Sequence, residues 1–170
     1  MRNESRPKLR IFALIAALAI PLLVGGFSAL LTAEDVKLYG AMNHPPLAPP
    51  GWAFPIVWTL LYAMMGVASY LVSGPEVDPE RKAKALRFYG AQLIMNFFWC
   101  MLFFTYSRYL ISLIWLLVMW VLILICAVCF GRIRRAAGWM MGILFVWTTF
   151  AAYLNLATLI MSMKPMPINA

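Results

Sequence analysis

An all-α membrane protein built as a five-transmembrane-helix bundle is the fold this sequence predicts, on three observations. Of its 170 residues, 64% are apolar and only 12% are charged, against roughly 45–50% and about 25% in a soluble domain. The apolar residues gather in five runs, none containing Asp, Glu, Lys, Arg or His. The basic residues stand in short clusters between those runs, as topology determinants do. A span needs roughly 20 residues to cross about 30 Å of hydrocarbon. The chain therefore holds five or six spans in one domain, 1–170, with no room for a large extramembrane unit.

The first span is expected over about 11–31. Arg2, Arg6, Lys8 and Arg10 precede it as they would a secretory signal, but the run exceeds the roughly 7–15 residues of a signal core, so a retained helix is expected. Pro21, followed by Gly25 and Gly26, removes a backbone bond and should bend it. A long connection follows, 32–52, whose prolines at 45, 46, 49 and 50 restrict its freedom. An ordered lid over the helix ends fits this better than a loose tether.

The second span, 53–72, carries Phe54, Trp58 and Tyr62 at steps of four. A charged linker, 73–87, leads to the third span, 88–104, where Gln92, Asn96, Trp99 and Phe103 share one helical face. After a tight turn at 105–109 comes the fourth span, 110–130, then a basic turn at 131–135. In the fifth span, 136–161, Trp147, Phe150, Ala151, Leu154 and Asn155 again share a face. An amide in hydrocarbon is costly without a partner, so Gln92, Asn96 and Asn155 should point at other helices or into a cavity. Spacing alone leaves both open. Interfacial aromatic anchors and interhelical amide bonds produce the same pattern without any ligand.

The net charge of +8 forms no single solvent face, which argues against nucleic acid. Eleven basic residues fall on the side of the N-terminus, second linker and fourth linker, against Lys37, Arg108 and Lys164 opposite. That bias places the N-terminus in the cytoplasm and the C-terminus outside. Spans free of ionisable groups argue against proton-coupled carriers, pumps and voltage sensors. The sole histidine, His44, lies in a loop, so no Ser-His-acid set can be assembled and a conventional enzyme is not expected. Cys100, Cys126 and Cys129 lie in apolar runs and read as packed, inert thiols. Gly138 and Gly142 form a G-x-x-x-G that permits close helix approach, and Gly90–Ala91 offers another small-residue site.

Three segments together resemble the TspO/MBR family of tryptophan-rich sensory and translocator proteins. Residues 49–62 are similar to its P-P-x-W-x-F-x-x-V-W-x-x-L-Y, residues 92–99 to its Q-L-x-x-N-x-x-W, and residues 147–155 to its W-x-x-F-A-x-x-L-N. The resemblance covers nearly the whole chain, in the same order of five helices and long first loop. It implies a homodimeric membrane protein, in a bacterial cell membrane here, that binds protoporphyrin IX or haem as ligand rather than cofactor. Sterols and benzodiazepine-type molecules are further ligands of the family. By that resemblance Trp58 and Trp147 are aromatic walls, Gln92 and Asn96 a polar floor, and Phe150, Ala151 and Leu154 the side. Tyr39 leans in from the lid, and Trp52, Tyr62, Trp99 and Asn155 complete the expected ligand-binding set.

There are departures. Where the family often reads K-P-x-W in the first loop, His44, Pro45, Pro46 and Leu47 stand here, and Ile143 and Leu144 replace Pro-Tyr before the fifth-span tryptophan. The sterol-recognition pattern of animal members is missing after Leu154, although Leu102, Tyr106 and Arg108 fit that loose pattern elsewhere. Two further readings stay alongside transport or sensing of a tetrapyrrole: light-dependent oxidative degradation of bound protoporphyrin, and a ligand-responsive interaction protein.

Overall fold

The computed structural model describes residues 5–41 and 45–163, with side chains from Arg10 onward. Among these residues the chain is helical and forms no strand: α1 Ser5–Leu31, α2 Ala33–Gly40, α3 Ala53–Val72, α4 Pro79–Cys100, α5 Tyr109–Ile133 and α6 Arg135–Ser162. A π-helical turn, Met101–Thr105, extends α4. Five of these helices are long and apolar enough to cross a bilayer; α2 is not.

Two elements differ from the pattern expected of the sequence. The first connection is not all loop, because Ala33–Gly40 forms α2 with acidic Glu34 and Asp35 in its first turn, where they oppose the helix dipole favourably. The charged linker is also largely helix, since α4 begins at Pro79 rather than Phe88. Asp78 caps it by accepting the Arg81 N–H at 2.9 Å, and Pro79 occupies the first turn, where a missing N–H costs nothing. Apolar periodicity sees only the membrane-embedded part of such a helix. At Pro21, α1 continues without interruption.

The five spans close into a ring in the order α1, α3, α6, α5, α4 and back to α1, with the α5–α6 contact the most extensive. Met65, Leu116, Met119, Ile123, Phe130, Met141 and Leu144 fill its interior. Helix α1 is the least buried of the five. It is held where Gly66 of α3 lets backbones meet: a Cβ there would lie 2.8 Å from the Ala17 carbonyl oxygen. Gly138 likewise backs onto Gly131, so the first glycine of the G-x-x-x-G closes the α5–α6 hairpin within the chain. Both turns of this end meet in a Glu76–Arg134 ion pair of 2.5 Å. A bond from its own backbone N–H, then one from Arg134, hold the Glu76 carboxyl below its ordinary pKa.

Candidate functional site

At the opposite end α2 and the following loop lie over the bundle, fastened at three points. Thr105 Oγ1 donates to Asp35 Oδ2 at 2.6 Å. Tyr39 Oη and Thr158 Oγ1 are 3.0 Å apart, and the Tyr39 ring meets Phe103 and Phe104 edge-on at 5.2 and 5.5 Å. Burial raises the Tyr39 phenol above its ordinary pKa, opposed by the Thr158 bond. Farther along, the Ala48 N–H donates to the Pro45 carbonyl at 3.1 Å. Pro46 supplies a fixed negative φ and Leu47 has φ 67°, which together define a type II turn. The Pro46 carbonyl accepts from Tyr153 Oη of α6 at 3.0 Å. Lys37 pairs with Glu34 at 2.7 Å in the open, an arrangement worth little. His44 lies outside the described residues.

Just beneath the lid, polar side chains bond to one another. In the orientation that gives each end of its amide a partner, Asn155 donates to the Tyr109 carbonyl at 2.9 Å and accepts from Ser112 Oγ at 2.9 Å and Trp99 Nε1 at 3.3 Å. Trp99 stacks on Phe103 at 5.2 Å. Two expected site residues, Asn155 and Trp99, thus join α4, α5 and α6. Sequence reasoning missed Ser112 and Thr158. Continuing the fifth-span face by three residues from Asn155 would have found Thr158; Ser112 sat unremarked in an apolar run.

Deeper in the bundle the polar side chains behave differently. Tyr62 Oη donates to Asn96 Oδ1 at 2.8 Å, joining α3 to α4, and its ring lies directly against Gly25 of α1. Trp58 meets Tyr62 in a tilted pair at 5.5 Å. Phe54 meets Trp147 of α6 at 6.3 Å, and Phe150 and Tyr153 continue the aromatic row along α6. Asn96 Nδ2, both polar atoms of Gln92, and Trp147 Nε1 are buried with no hydrogen-bond partner among the described residues. Ala151 and Leu154 are buried nearby on α6. Helix α3 thus meets Asn96 of α4 through Tyr62 and Trp147 of α6 through Phe54, while Gln92 lies buried one turn before Asn96. Tyr39, Trp99 and Asn155 belong to the lid and the network beneath it, and Trp52 stands outside both regions, 69% exposed at the start of α3.

Such a cluster can receive a flat, largely apolar molecule with a few inward hydrogen-bonding groups. Unpartnered buried donors and acceptors cost roughly 1–3 kcal/mol each, and a ligand that meets them recovers that cost. The chain matches the TspO/MBR family over residues 17–161. It is 28% identical over 151 residues to the tryptophan-rich protein TspO of Chlorobaculum tepidum, covering 88% of this chain and 96% of that one. To the tryptophan-rich sensory protein of Cereibacter sphaeroides it is 33% identical over 141 residues, 83% and 84% of the two chains. The translocator protein of Ovis aries is 28% identical over 134 residues, 77% of this chain and 79% of that one.

Proposed function

The chain belongs to the TspO/MBR family, an integral membrane family, and on that footing we propose that it binds a planar tetrapyrrole such as protoporphyrin IX or haem for transport or sensing. The observation that carries this reading is the set of unpartnered buried groups on Gln92, Asn96 and Trp147, on helices that also carry the tilted aromatic pairs Trp58–Tyr62 and Trp147–Phe150. The macrocycle lies against Trp58 and Trp147, where aromatic faces attract it. Its propionates extend toward the lid end, where Lys37 stands. Nothing in this reading couples binding to an energy source, so flux follows the ligand gradient. Sterols or benzodiazepine-type molecules would compete for the same rings.

Titration of the purified protein with protoporphyrin IX, followed by tryptophan quenching, tests the site. The Trp58→Ala, Trp147→Ala double variant is expected to bind about 100-fold more weakly, the loss usual for two aromatic anchors. Unchanged affinity would overturn the assignment. A second reading, photo-oxidation of the bound porphyrin by dissolved oxygen, is favoured by the Trp58–Tyr62 pair, a redox-capable neighbour to an excited macrocycle. A new absorbing product under light, absent in the dark and with free tryptophan, would support it.

The eleven-to-three basic bias supports an N-terminus in the cytoplasm. A C-terminal reporter active on the cytoplasmic side would refute that orientation. Association as a homodimer belongs to the same proposal, to be read from the mass of the protein in detergent.

A further inference from the structure

At the end of the bundle opposite the lid, the two turns and the start of α1 carry Arg10, Arg81, Lys82, Lys84, Arg87, Arg132, Arg134 and Arg135 against Glu76, Asp78 and Glu80. Arg134 is engaged by Glu76. Lys84 and Arg87 are exposed and form no ion pair among the described residues. Both open onto a groove of about 710 Å³ between α4 and α5, within the roughly 300–1,000 Å³ typical of small-molecule sites. Its lining is graded: Glu80, Lys84 and Arg87 at the mouth, then Phe88, Ala91 and, from α5, Leu122. On α4 the positions 80, 84, 87, 88 and 91 follow one helical face, so the groove runs along the helix axis from charge into hydrocarbon.

We propose that this groove is a binding site for an anionic phospholipid, with its phosphate on Lys84 and Arg87 and an acyl chain along Phe88, Ala91 and Leu122. Three properties select that occupant. The two cations form no ion pair among the described residues and outnumber the single carboxylate, Glu80, at the mouth, and cations at the bilayer surface attract anionic headgroups. The lining turns from polar to apolar in the direction a lipid does. The groove is lined by two spans and shares no residue with the tetrapyrrole set, Trp58 and Trp147 included, so it is a separate site. Glu80 at the mouth, one turn before Lys84, repels a second phosphate and favours a headgroup of single negative charge.

The test is native mass spectrometry of the full chain in detergent, titrated with phosphatidylglycerol or phosphatidylcholine. The unaltered protein is expected to retain one phosphatidylglycerol in preference to phosphatidylcholine. Surface cations contribute about fivefold each, so Lys84→Gln, Arg87→Gln should weaken phosphatidylglycerol about 30-fold and leave phosphatidylcholine unchanged. Arg132→Gln, Arg135→Gln, which removes equal charge from the same end, should change it less than threefold. Leu122→Trp fills the apolar part without altering charge and should also weaken phosphatidylglycerol. Equal losses in the two charge variants would reduce the effect to net charge and overturn the site. Undiminished binding in Leu122→Trp would do the same, as would displacement of the lipid by millimolar inorganic phosphate, which marks an anion site only. Loss of dimer mass in Lys84→Gln, Arg87→Gln with lipid binding intact would assign the groove to a second copy instead. Circular dichroism and a monodisperse elution profile establish that each variant is folded.

Discussion

Asn155 and Gln92 are both carboxamides with no exposure, one on α6 and one on α4. Asn155 has a partner at each end of its amide, drawn from Tyr109, Ser112 and Trp99, whereas neither polar atom of Gln92 has any. The same contrast separates two indoles, since Trp99 reaches Asn155 while Trp147 Nε1 is unpartnered. Residue type and helical spacing are alike in the two regions. What differs is whether a neighbouring helix supplies the complement. Near the lid it does, and the polar groups fasten three helices. Deeper, on α4 and α6, it does not, and the polar groups of Gln92 and Trp147 are without partners among the described residues.

The sharpest way to break this comparison is to remove one amide from each region. Asn155→Leu leaves the Trp99 N–H without its acceptor, while Ser112 Oγ keeps the Tyr109 carbonyl at 3.0 Å, and should lower unfolding stability by about 1.5 kcal/mol, near the upper end of interhelical bonds in membranes. Its affinity for protoporphyrin should change less than threefold. Gln92→Leu breaks no bond and removes an uncompensated amide, so stability should hold or rise. Its porphyrin affinity should fall about tenfold, one good hydrogen bond. Denaturant titration and fluorescence quenching on both variants read the pair. A Gln92 variant that unfolds more easily while binding normally would invert the assignment of the two regions.

Gly25→Ala attacks the deeper region through packing. The new methyl would occupy the place of the Tyr62 ring, forcing it off Asn96 and costing about 1.5 kcal/mol, as overpacking does. Because the Tyr62 ring also packs against Trp58, porphyrin affinity should fall together with stability. Stability lost without any change in affinity would detach Tyr62 from the site.

Much of this was legible in the sequence, and the reason is physical. A bilayer demands long uncharged runs, so the five spans stood out, and three stripes of aromatics and amides marked the faces that turn inward. Helix α2 and the first turns of α4 were not legible, because neither is a long apolar run: α2 carries acidic residues in its first turn and no side-chain cap, and α4 starts on the Asp78 cap, features that periodicity does not register. The division between Asn155 and Gln92 was equally hidden. It depends on Ser112, a small hydroxyl inside an apolar run of α5, and no one-dimensional pattern tells which helix that hydroxyl faces.

The lid tests the upper region with smaller effects. Tyr39→Phe removes its bond to Thr158 but leaves Thr158 Oγ1 donating to the Leu154 carbonyl at 2.8 Å, so no buried orphan results and the loss should be about 0.5–1 kcal/mol. The pH dependence follows from the raised Tyr39 pKa. A phenol protonated more tightly in the folded state contributes fully below its unfolded value of about 10, and the contribution disappears as pH rises through the folded value. Thermal midpoints of the unaltered protein should therefore decline more steeply above about pH 10 than those of Tyr39→Phe. Parallel alkaline limbs would show that burial of the Tyr39 phenol contributes nothing to the alkaline loss of stability.

The smallest expected effect, and the one of opposite sign, lies at Leu47. Its φ of 67° falls in the left-handed region, which costs a residue bearing a Cβ about 1–2 kcal/mol. Its side chain is 80% exposed, so packing returns little. Glycine adopts that φ freely but gains about 0.4–1 kcal/mol of freedom in the unfolded chain. Leu47→Gly should thus stabilise by about 0.5 kcal/mol, roughly 1–2 °C in a chain of this size. The Pro45–Ala48 turn, with its Pro46 carbonyl held by Tyr153, would keep its form. Porphyrin affinity then separates two roles for this position. If the lid acts only as a fastening, affinity stays constant while stability rises. If the Leu47 side chain folds down onto a bound macrocycle, affinity falls although the turn is relaxed, and the lid becomes part of the open region rather than of the fastened one.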